Sequence, residues 1–319
     1  MATTVLGLKT FAASDPVDYN EVNDNYNKID NGVKTALQGR AAQNLFDNSN
    51  FRINQLGQTS YTANGYTVDR WAIYKWSNDS SISINLSVNA DGVILSGGVS
   101  TASTPSSCYL YQKIECNRFA GKTLTAAVYV DSLSGNGTGI LCAYNNTTYI
   151  KGVNLKVGLN FLVFDVPSSA TVLIIKIGND ASNSGRGSIT ASIRWAALYE
   201  GSYTADTLPD YQPKGYAAEL AECQRYYRQM SYPVIPCGNN PAGTQVYGFL
   251  PFRMRIDNPT ISCNNLYYFK GDTTFYTVSS ASAASYGSGT RIFFNLSSNV
   301  DGNLAGAISG NGITLSADL

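Results

Sequence analysis

The stretch "SISINLSV" (81–88) places an apolar residue at every second position. Such alternation is typical of a β-strand that buries one face. From residue 44 onward the period of two persists through short segments separated by Gly, Asn, Ser or Pro turns, so an antiparallel sandwich or jelly roll is predicted. The other predicted strands of this body are 92–100, 108–115, 124–131, 139–145, 160–166, 172–178 and 187–201.

A helical period precedes the strands in "YNEVNDNYNKIDNGVKTAL" (19–37), where the larger apolar residues are spaced alternately by three and four. This spacing is a heptad repeat, and its narrow stripe is typical of a coiled-coil seam. β-Branched seam residues are compatible with more than two strands, so a trimeric coiled coil is predicted, with a helix packed on its own domain as the alternative. The predicted trimerisation residues are Tyr19, Val22, Tyr26, Ile29, Val33 and Ala36.

Sequence signals at both ends support this helix. Ser14 or Asp15 can cap the first turn, and Pro16 fits a position that needs no backbone N–H. Gly39 is the predicted stop, because glycine readily adopts the left-handed conformation that ends many helices. Residues 1–43 are therefore interpreted as an attachment segment with a coiled-coil helix.

The chain after the jelly roll is predicted to form a second β unit. The segment "TADTLPDYQPKG" (204–215) is interpreted as a linker, and "YAAELAECQRYYRQM" (216–230) as one helix. The predicted domains are residues 44–213, the jelly-roll β-sandwich, and residues 214–319, the linking helix with a smaller C-terminal β tip domain. The predicted tip strands are 245–256, 260–271, 274–280 and 290–298.

Composition argues against several kinds of partner. Charged residues make up 14% of the chain, the formal net charge is zero, and no basic run occurs, so no nucleic-acid partner is expected. No apolar run approaches the roughly 20 residues that span a bilayer, so no membrane insertion is expected. The six cysteines are predicted to be reduced and mostly buried, with a Cys108–Cys116 bridge as the alternative.

The side chains available for catalysis are few. The chain has no histidine, which removes Ser-His-Asp and Cys-His chemistry and the commonest zinc ligand. Asp and Glu occur singly, so no carboxylate pair suited to glycoside hydrolysis stands out, and no enzyme activity is predicted. No metal or cofactor is predicted either, because "NADG" (89–92) and "NVDG" (299–302) are better interpreted as hairpin turns than as calcium loops.

Three motifs occur in residues 44–74, and they read "NLFDNSNF", "NQLGQTSY" and "GYTVDRW". Through them the chain resembles the jelly-roll module of phage and prophage tail fibres and receptor-binding proteins, which is similar to carbohydrate-binding modules. The end of the module is similar as well, with "RWAALYEGS" followed by "AAELAECQRYYRQ". The resemblance covers residues 44–230 well and the tip after residue 240 weakly.

The resemblance implies a homotrimer in a virion tail, made in the host cytoplasm and released by lysis. It implies a tail or baseplate protein as the partner of the N-terminus and a bacterial surface polysaccharide as the partner of the C-terminus. A structural adaptor that binds no receptor is the alternative, and a glycan hydrolase is less favoured. Within the motifs, Asp69, Arg70 and Trp71 are interpreted as a strand-start ion pair and a core tryptophan, and so are Arg194 and Trp195.

Aromatic residues with polar neighbours are the predicted glycan contacts, because sugar C–H faces stack on rings while amides bond hydroxyls. Tyrosine supplies most of them, with 22 residues. The predicted glycan-binding set lies in the tip: Tyr247, Asn264, Asn265, Tyr267, Tyr268, Asp272, Tyr276, Tyr286 and Arg291. The second possibility lies in the sandwich: Trp76, Asn78, Asp79, Tyr144, Asn145 and Tyr149.

Overall fold

The fold is mainly β, with 53% strand and 11% helix, as the sequence predicts. The structure, a computed structural model, describes residues 18–41, 43–230, 233, 235–239, 245–270, 274–297 and 306–317. Every strand pairing within these ranges is antiparallel, and the body has the predicted sandwich form. The helices of the described part of the chain are all too short or too polar to cross a membrane.

The N-terminal helix, α1, spans Tyr19–Ala41. The Asp18 carboxylate caps it by accepting a hydrogen bond from the Asn20 N–H at 2.9 Å. The helix runs past Gly39, so the predicted stop is wrong; a glycine inside a helix costs only about 1 kcal/mol and need not end it. The predicted N-terminal signals at residues 14–16 lie outside the described residues.

The predicted coiled-coil seam of α1 is exposed in the single chain. Exposed fractions are 78% for Tyr19, 67% for Tyr26, 40% for Ile29 and 50% for Val33. Val22 is half-buried, and the side chain of Ala36 lies outside the described residues. These four seam residues are therefore not packed on the sandwich, as the alternative requires, and the trimeric coiled coil stays a prediction.

The sandwich contains all eight predicted strands and four that the sequence analysis missed. Two of the missed strands are only two residues long, and the other two lack a clean apolar alternation. The strands are β1 (Ser60–Tyr61), β2 (Gly65–Tyr66), β3 (Ala72–Ser77), β4 (Ser83–Asn89), β5 (Gly92–Gly98), β6 (Ser106–Glu115), β7 (Thr123–Gly135), β8 (Ile140–Asn145), β9 (Thr148–Asn154), β10 (Gly158–Asp165), β11 (Val172–Asn179) and β12 (Ser188–Glu200).

These strands form two six-stranded sheets. The front sheet has the order β2-β3-β6-β11-β8-β9, and the back sheet has the order β1-β4-β5-β12-β7-β10. Between the sheets lies one core that includes the strand residues Leu86, Leu110, Ile175 and Leu198 and also Trp71, which precedes β3. Burial of each such large side chain stabilises the fold by roughly 1.5–3 kcal/mol. The core uses only the inner faces of the two sheets, so the side chains of the outer faces can pack against other segments or bind a ligand.

The hairpin interpretation of "NADG" is confirmed. Asn89 of β4 pairs with Gly92 of β5, and the Asn89 side chain accepts a hydrogen bond from the Asp91 N–H at 3.0 Å. Gly92 has φ +146°, and a Cβ there would lie 2.2 Å from the Ile193 carbonyl oxygen, so only glycine fits. The second predicted turn, 299–302, lies outside the described residues.

The part of the back sheet's outer face around Trp195 is covered by the chain's own segment 203–211. Tyr211 stacks on Trp195 with ring centroids 4.4 Å apart and parallel planes. The Tyr211 hydroxyl also lies 2.9 Å from Ser49 Oγ, within hydrogen-bond distance. Leu208 packs on the same apolar cluster. The predicted linker is therefore, up to Tyr211, a packed part of the body rather than a free connection.

The helix α2 spans Tyr216–Cys223, which is shorter than predicted. The chain turns after Cys223 and continues as a strand, β13, at Tyr227–Met230, so the second half of the predicted helix is wrong. Pairing of β13 with the last strand of the chain outweighs the helical spacing there. The other tip strands are β14 (Ile235–Asn239), β15 (Gln245–Leu250), β16 (Thr260–Lys270), β17 (Thr274–Tyr286), β18 (Gly289–Leu296) and β19 (Gly306–Ser316).

The tip strands form one sheet in the order β13-β19-β14-β15-β18-β17-β16. Because β19 also pairs with β16, the sheet closes on itself. Its interior is a second apolar core, which includes Val246, Tyr268, Phe294, Ile308 and Leu315. The two separate cores agree with a sandwich and a tip, while the predicted domain boundaries stay predictions.

The motif residues are structural, as predicted, but two of the assigned roles are wrong. The Asp69 carboxylate accepts hydrogen bonds from Gln55 instead of pairing with Arg70, and Trp195 lies on the outer face of the back sheet rather than in the sandwich core. Trp71 is fully buried, and its indole N–H donates to the Asn48 carbonyl at 2.9 Å. Arg70 forms the ion pair, with Asp47 at 2.9 Å, and its guanidinium lies 3.4 Å from the ring centroid of Tyr226. This part of the motif region therefore ties the sandwich to the chain that leads into the tip.

The cysteines are all free thiols, as predicted, and no Cys108–Cys116 bridge forms. Five of the six are buried, and Cys263 is half-buried. Burial raises the pKa of the Cys108, Cys142 and Cys237 thiols to about 12. These side chains therefore act as small apolar residues rather than as nucleophiles.

Candidate functional site

The outer face of the front sheet collects aromatic and charged side chains. Tyr74 of β3 lies opposite Tyr109 of β6, and Tyr111 of β6 lies opposite Lys176 of β11. Because side chains alternate along a strand, these four point away from the core, whereas the next residue, Leu110, points into it. Strand register therefore assembles the site from segments that are far apart in sequence.

Ring contacts make this face a platform. The rings of Tyr74 and Tyr109 are stacked, with centroids 5.3 Å apart. On β8 and β9, the ring of Tyr144 meets that of Tyr149 edge to face at 5.5 Å. Trp76 and Tyr149 are 44% and 42% exposed at opposite sides of the sheet. Rings fixed against one another present flat apolar surfaces to solvent at little entropic cost.

A buried ion pair lies beneath the platform. Lys176 Nζ is 3.1 Å from Asp180 Oδ2, and the side chains are 10% and 1% exposed. The ammonium also lies 3.6 Å from the ring centroid of Tyr144 and 4.4 Å from that of Tyr109. Charged residues are rarely this buried unless they are paired, and here the carboxylate and both rings compensate the cation.

Asp180 organises the surrounding hydrogen bonds. Its Oδ2 accepts from the Tyr144 hydroxyl at 2.6 Å, and its Oδ1 accepts from the Ser182 N–H at 3.2 Å. The Asn183 amide donates to the Tyr144 oxygen at 2.8 Å. Burial, together with the hydrogen bond to Asp180, holds the pKa of Tyr144 well above its ordinary value of 10.0. The phenol therefore stays protonated and fixed in orientation.

Two adjoining depressions on this face form one cleft, which we call the front cleft. Their volumes are about 270 and 370 Å³, and they share Tyr74, Tyr109 and Ser182. Four neighbouring strands, β3, β6, β11 and β8, cross beneath it, which gives a width of ~14 Å at ~4.8 Å per strand. The remaining lining residues are Trp76, Ser107, Asp180, Tyr111, Lys113, Tyr144, Asn146, Thr147, Ile174 and Lys176.

A second cleft, of about 460 Å³, lies where the sandwich meets α2. Four of its charged side chains already bind one another, since Lys214 lies 2.5 Å from Glu222 and 3.6 Å from Asp47. Asp47 is also the partner of Arg70. These contacts join the sandwich to α2, so we interpret this cleft as a structural junction.

The described members of the predicted glycan set in the tip lie in separate places. Tyr247 and Arg291 adjoin on the outer surface, with the guanidinium 5.3 Å from the ring centroid. Tyr267 is exposed on β16, which β17 separates from β18. Tyr268 is fully buried and therefore is a core residue, not the surface residue that the prediction requires. Tyr276 packs against the same core.

The remaining predicted tip residues are described only in part. Asn265 is exposed and has a left-handed backbone, with φ 47°. Asn264 and Tyr286 lie in β16 and β17, but their side chains lie outside the described residues, as does the whole of Asp272. Glycan binding by the exposed tip residues stays a prediction.

The predicted glycan set of the sandwich lies closer together in the structure than the set of the tip. Trp76, Tyr144 and Tyr149 all lie on the front face, the first at one edge and the other two on β8 and β9. Asn78 and Asp79 lie in the turn that follows β3, and Asp79 caps it by accepting from the Ser81 N–H at 2.8 Å. Asn145, the last predicted member, ends β8.

Sequence reasoning missed most of the polar residues of the front cleft. The pattern of "VLIIKIG" predicts a strand and by itself gives no role to Lys176 or Asp180. One signal was present, since a lysine inside an otherwise apolar strand needs a partner, and Asp180 lies four residues further on. The missed lining residues are Tyr74, Ser107, Tyr109, Tyr111, Lys113, Asn146, Thr147, Ile174, Lys176, Asp180 and Ser182.

The described residues contain no group of three or more His, Cys, Asp or Glu side chains that could hold a metal ion. Within the front cleft, Asp180 is the only lining carboxylate, and it is bonded to Lys176 and Tyr144. The chemistry that the cleft offers is therefore stacking and hydrogen bonding.

Comparison with known proteins gives partial structural likenesses. No protein-family model matches the chain, and no curated protein matches it. The enzymatically active domain of bacteriophage CBA120 tailspike protein 4 aligns at 13% identity and a TM-score of 0.32, over 50% of this chain and 21% of the tailspike chain.

Carbohydrate-binding modules give likenesses of the same order. A CBM4 module aligns at 14% identity and a TM-score of 0.32, over 49% of this chain and 99% of the module. TmCBM27, a carbohydrate-binding module that recognises mannan, aligns at 12% identity and a TM-score of 0.26, over 44% of this chain and 99% of the module. At such values the function of this chain has to be inferred from its own cleft.

Proposed function

We propose that this protein is a homotrimeric phage tail fibre or receptor-binding protein that attaches a virion to a bacterial surface glycan, and that the front cleft holds the glycan. The observation that carries the glycan assignment is the aromatic platform of Tyr74, Tyr109 and Trp76 over the polar pair Lys176 and Asp180. The virion assignment rests on the resemblance of residues 44–230 to tail-fibre jelly rolls.

The front cleft suits a sugar chain for two reasons. Stacked tyrosine rings and an exposed tryptophan offer flat apolar surfaces to C–H groups, while Lys176, Asn146 and Thr147 offer polar groups to hydroxyls. The width of ~14 Å across four strands exceeds one sugar ring, which favours a chain as the ligand. The glycan site is thus moved from the tip, where the sequence placed it, to the sandwich.

We propose binding without catalysis at this site. Glycoside hydrolysis ordinarily uses two carboxyl groups on either side of the scissile bond. The front cleft has one lining carboxylate, Asp180, which is buried and bonded to Lys176 and Tyr144. Release of reducing sugar from a bound envelope glycan would contradict this part of the proposal.

The test of the glycan assignment is calorimetric titration of the full chain with bacterial envelope oligosaccharides. Trp76→Ala removes an exposed ring and should weaken binding about 30-fold, the equivalent of ~2 kcal/mol, while stability stays within about 0.5 kcal/mol. Tyr247→Ala on the tip is the matched control and should leave affinity unchanged. If only Tyr247→Ala weakened binding, the site would belong to the tip; if the chain bound no envelope glycan, the adaptor alternative would stand.

The trimer is proposed from the exposed seam of α1. Four apolar seam residues with exposed fractions of 40–78% are costly to leave in water, and burial against two copies of the same helix removes that cost. Ile29→Asp in the full chain should convert a trimer into monomers in light scattering, whereas Asn27→Asp, outside the seam, should not. A monomeric wild-type chain would contradict the proposal.

A further inference from the structure

The floor of the front cleft is electrically balanced. Lys176 Nζ and Asp180 Oδ2 lie 3.1 Å apart, and both side chains are at least nine-tenths buried. The other charged residue that lines the cleft is Lys113, which is half-exposed. A cleft with a neutral floor attracts an anionic ligand less strongly than a cleft whose floor carries an unpaired cation.

Neither member of the pair is free to turn toward a ligand. The Asp180 carboxylate accepts bonds from the Tyr144 hydroxyl and the Ser182 N–H as well as from Lys176. The ammonium of Lys176 lies between the rings of Tyr144 and Tyr109. A ligand therefore encounters the charges as a fixed pair rather than one at a time.

The pair responds differently to charged and uncharged ligands. A ligand carboxylate on the floor would lie near the Asp180 carboxylate, which offsets the attraction of Lys176, and it would also lose its hydration. A sugar hydroxyl has no such cost and can accept a hydrogen bond from the remaining ammonium protons of Lys176. Lys113 is half-exposed, so water and salt screen its attraction for an anionic ligand.

We propose that the Lys176–Asp180 pair makes the front cleft select uncharged glycans, with Asp180 as the specificity-determining residue. The proposal rests on glycan binding at the front cleft and adds the chemical class of the glycan. The residue acts through its charge, so its removal should change the kind of ligand rather than abolish binding.

The test compares short neutral hexose oligosaccharides with the matching hexuronic acid oligosaccharides, titrated into the full chain. Wild-type protein should bind the neutral ligand at least about tenfold more tightly. Asp180→Asn keeps the shape of the side chain and its acceptor oxygen but leaves Lys176 uncompensated, so the ratio should move toward the acidic ligand by about tenfold or more. The double variant Lys176→Met with Asp180→Asn has no floor charge and should again prefer the neutral ligand.

Controls separate this proposal from the one on which it rests. Asp131→Asn, an isosteric change at an exposed ion pair on the back sheet, should leave the ratio unchanged. If wild-type protein bound neither ligand, the glycan site itself would be wrong. If it bound both equally, or if folded Asp180→Asn kept the wild-type ratio, the charge proposal alone would be overturned.

A third variant decides the matter if Asp180→Asn fails to fold. Lys176→Met leaves the carboxylate of Asp180 without its cation, so rejection of the acidic ligand should become stronger by about tenfold. Near-ultraviolet circular dichroism verifies that the variant is folded. An unchanged ratio in that variant would also overturn the proposal.

Discussion

The two outer faces of the sandwich carry similar aromatic residues, but those of the back sheet are covered by the chain and those of the front sheet line an open cleft. On the back sheet, Trp195 stacks with Tyr211 at 4.4 Å, and segment 203–211 covers the ring. On the front sheet, Tyr74 stacks with Tyr109 at 5.3 Å, and the described chain leaves both rings lining an open cleft. Aromatic residues alone therefore do not distinguish packing from a binding surface.

The covered face shows how a flat ring is received on such a sheet. Tyr211 lies parallel to Trp195, and its hydroxyl finds a polar partner in Ser49. A sugar ring on the front face would combine the same two contacts, with stacking on Tyr109 or Trp76 and hydrogen bonds to polar neighbours. The two faces differ in what would cover the rings. On the back sheet it is the chain's own segment 203–211, and on the front sheet it would be a bound glycan.

The strongest test of this comparison is Trp195→Ala. The variant removes the ring on which Tyr211 rests, so the free energy of unfolding in urea should fall by about 3 kcal/mol. Affinity for the glycan should stay the same, because the front cleft is on the other sheet. Trp76→Ala on the front face is the mirror control, with lost affinity and little lost stability. A glycan-binding defect in Trp195→Ala would mean that the two faces are not independent.

Sequence reasoning predicted the sandwich well because its signal is local. Strands such as "SISINLSV" show their period directly, and all eight predicted strands are present. The front cleft could not be read in this way, since Tyr74, Tyr109 and Lys176 meet only through the register of β3, β6 and β11. Pairing between distant strands is tertiary information, which one sequence does not contain.

The errors have the same origin. Helical spacing in 216–230 was correct until Cys223, after which pairing with β19 decided the conformation. Tyr268 has the same sequence surroundings as the exposed Tyr267, and only the inward or outward side of β16 separates them. The prediction of a linker at 204–215 is wrong up to Tyr211, because Tyr211 packs against the apolar ring of Trp195 on the back sheet.

A smaller effect is expected from the hydroxyls of one tyrosine on each face. Tyr144→Phe loses the bonds to Asp180 and Asn183, and Tyr211→Phe loses the one to Ser49, at a cost of about 1 kcal/mol for each bond. Only Tyr144→Phe should also weaken glycan binding, because Tyr211 lies on the covered face. Equal affinity in both variants would contradict this.

The raised pKa values of these hydroxyls predict how stability changes at alkaline pH. Burial raises the pKa of Tyr211 to about 12 and that of Tyr144 above its ordinary value of 10.0. The unfolded chain therefore loses those protons first, so stability falls as pH rises above about 10, by up to about 1.4 kcal/mol per pH unit for each group. Each Phe variant should lose less stability than wild type over this range, in urea unfolding at stepwise increased pH.

The smallest effect is expected from the ion pair of the back sheet, and it sharpens the contrast with the front cleft. Arg194 pairs with Asp131 in solvent, whereas Lys176 pairs with Asp180 beneath two rings. An exposed pair gains little because water and salt screen it, so Arg194→Ala should leave the urea midpoint and the glycan affinity at wild-type values. Lys176→Ala should lower both, since it strands a buried carboxylate and removes a group that lines the cleft. If the two substitutions changed the urea midpoint and the glycan affinity equally, burial would not determine how much each ion pair contributes.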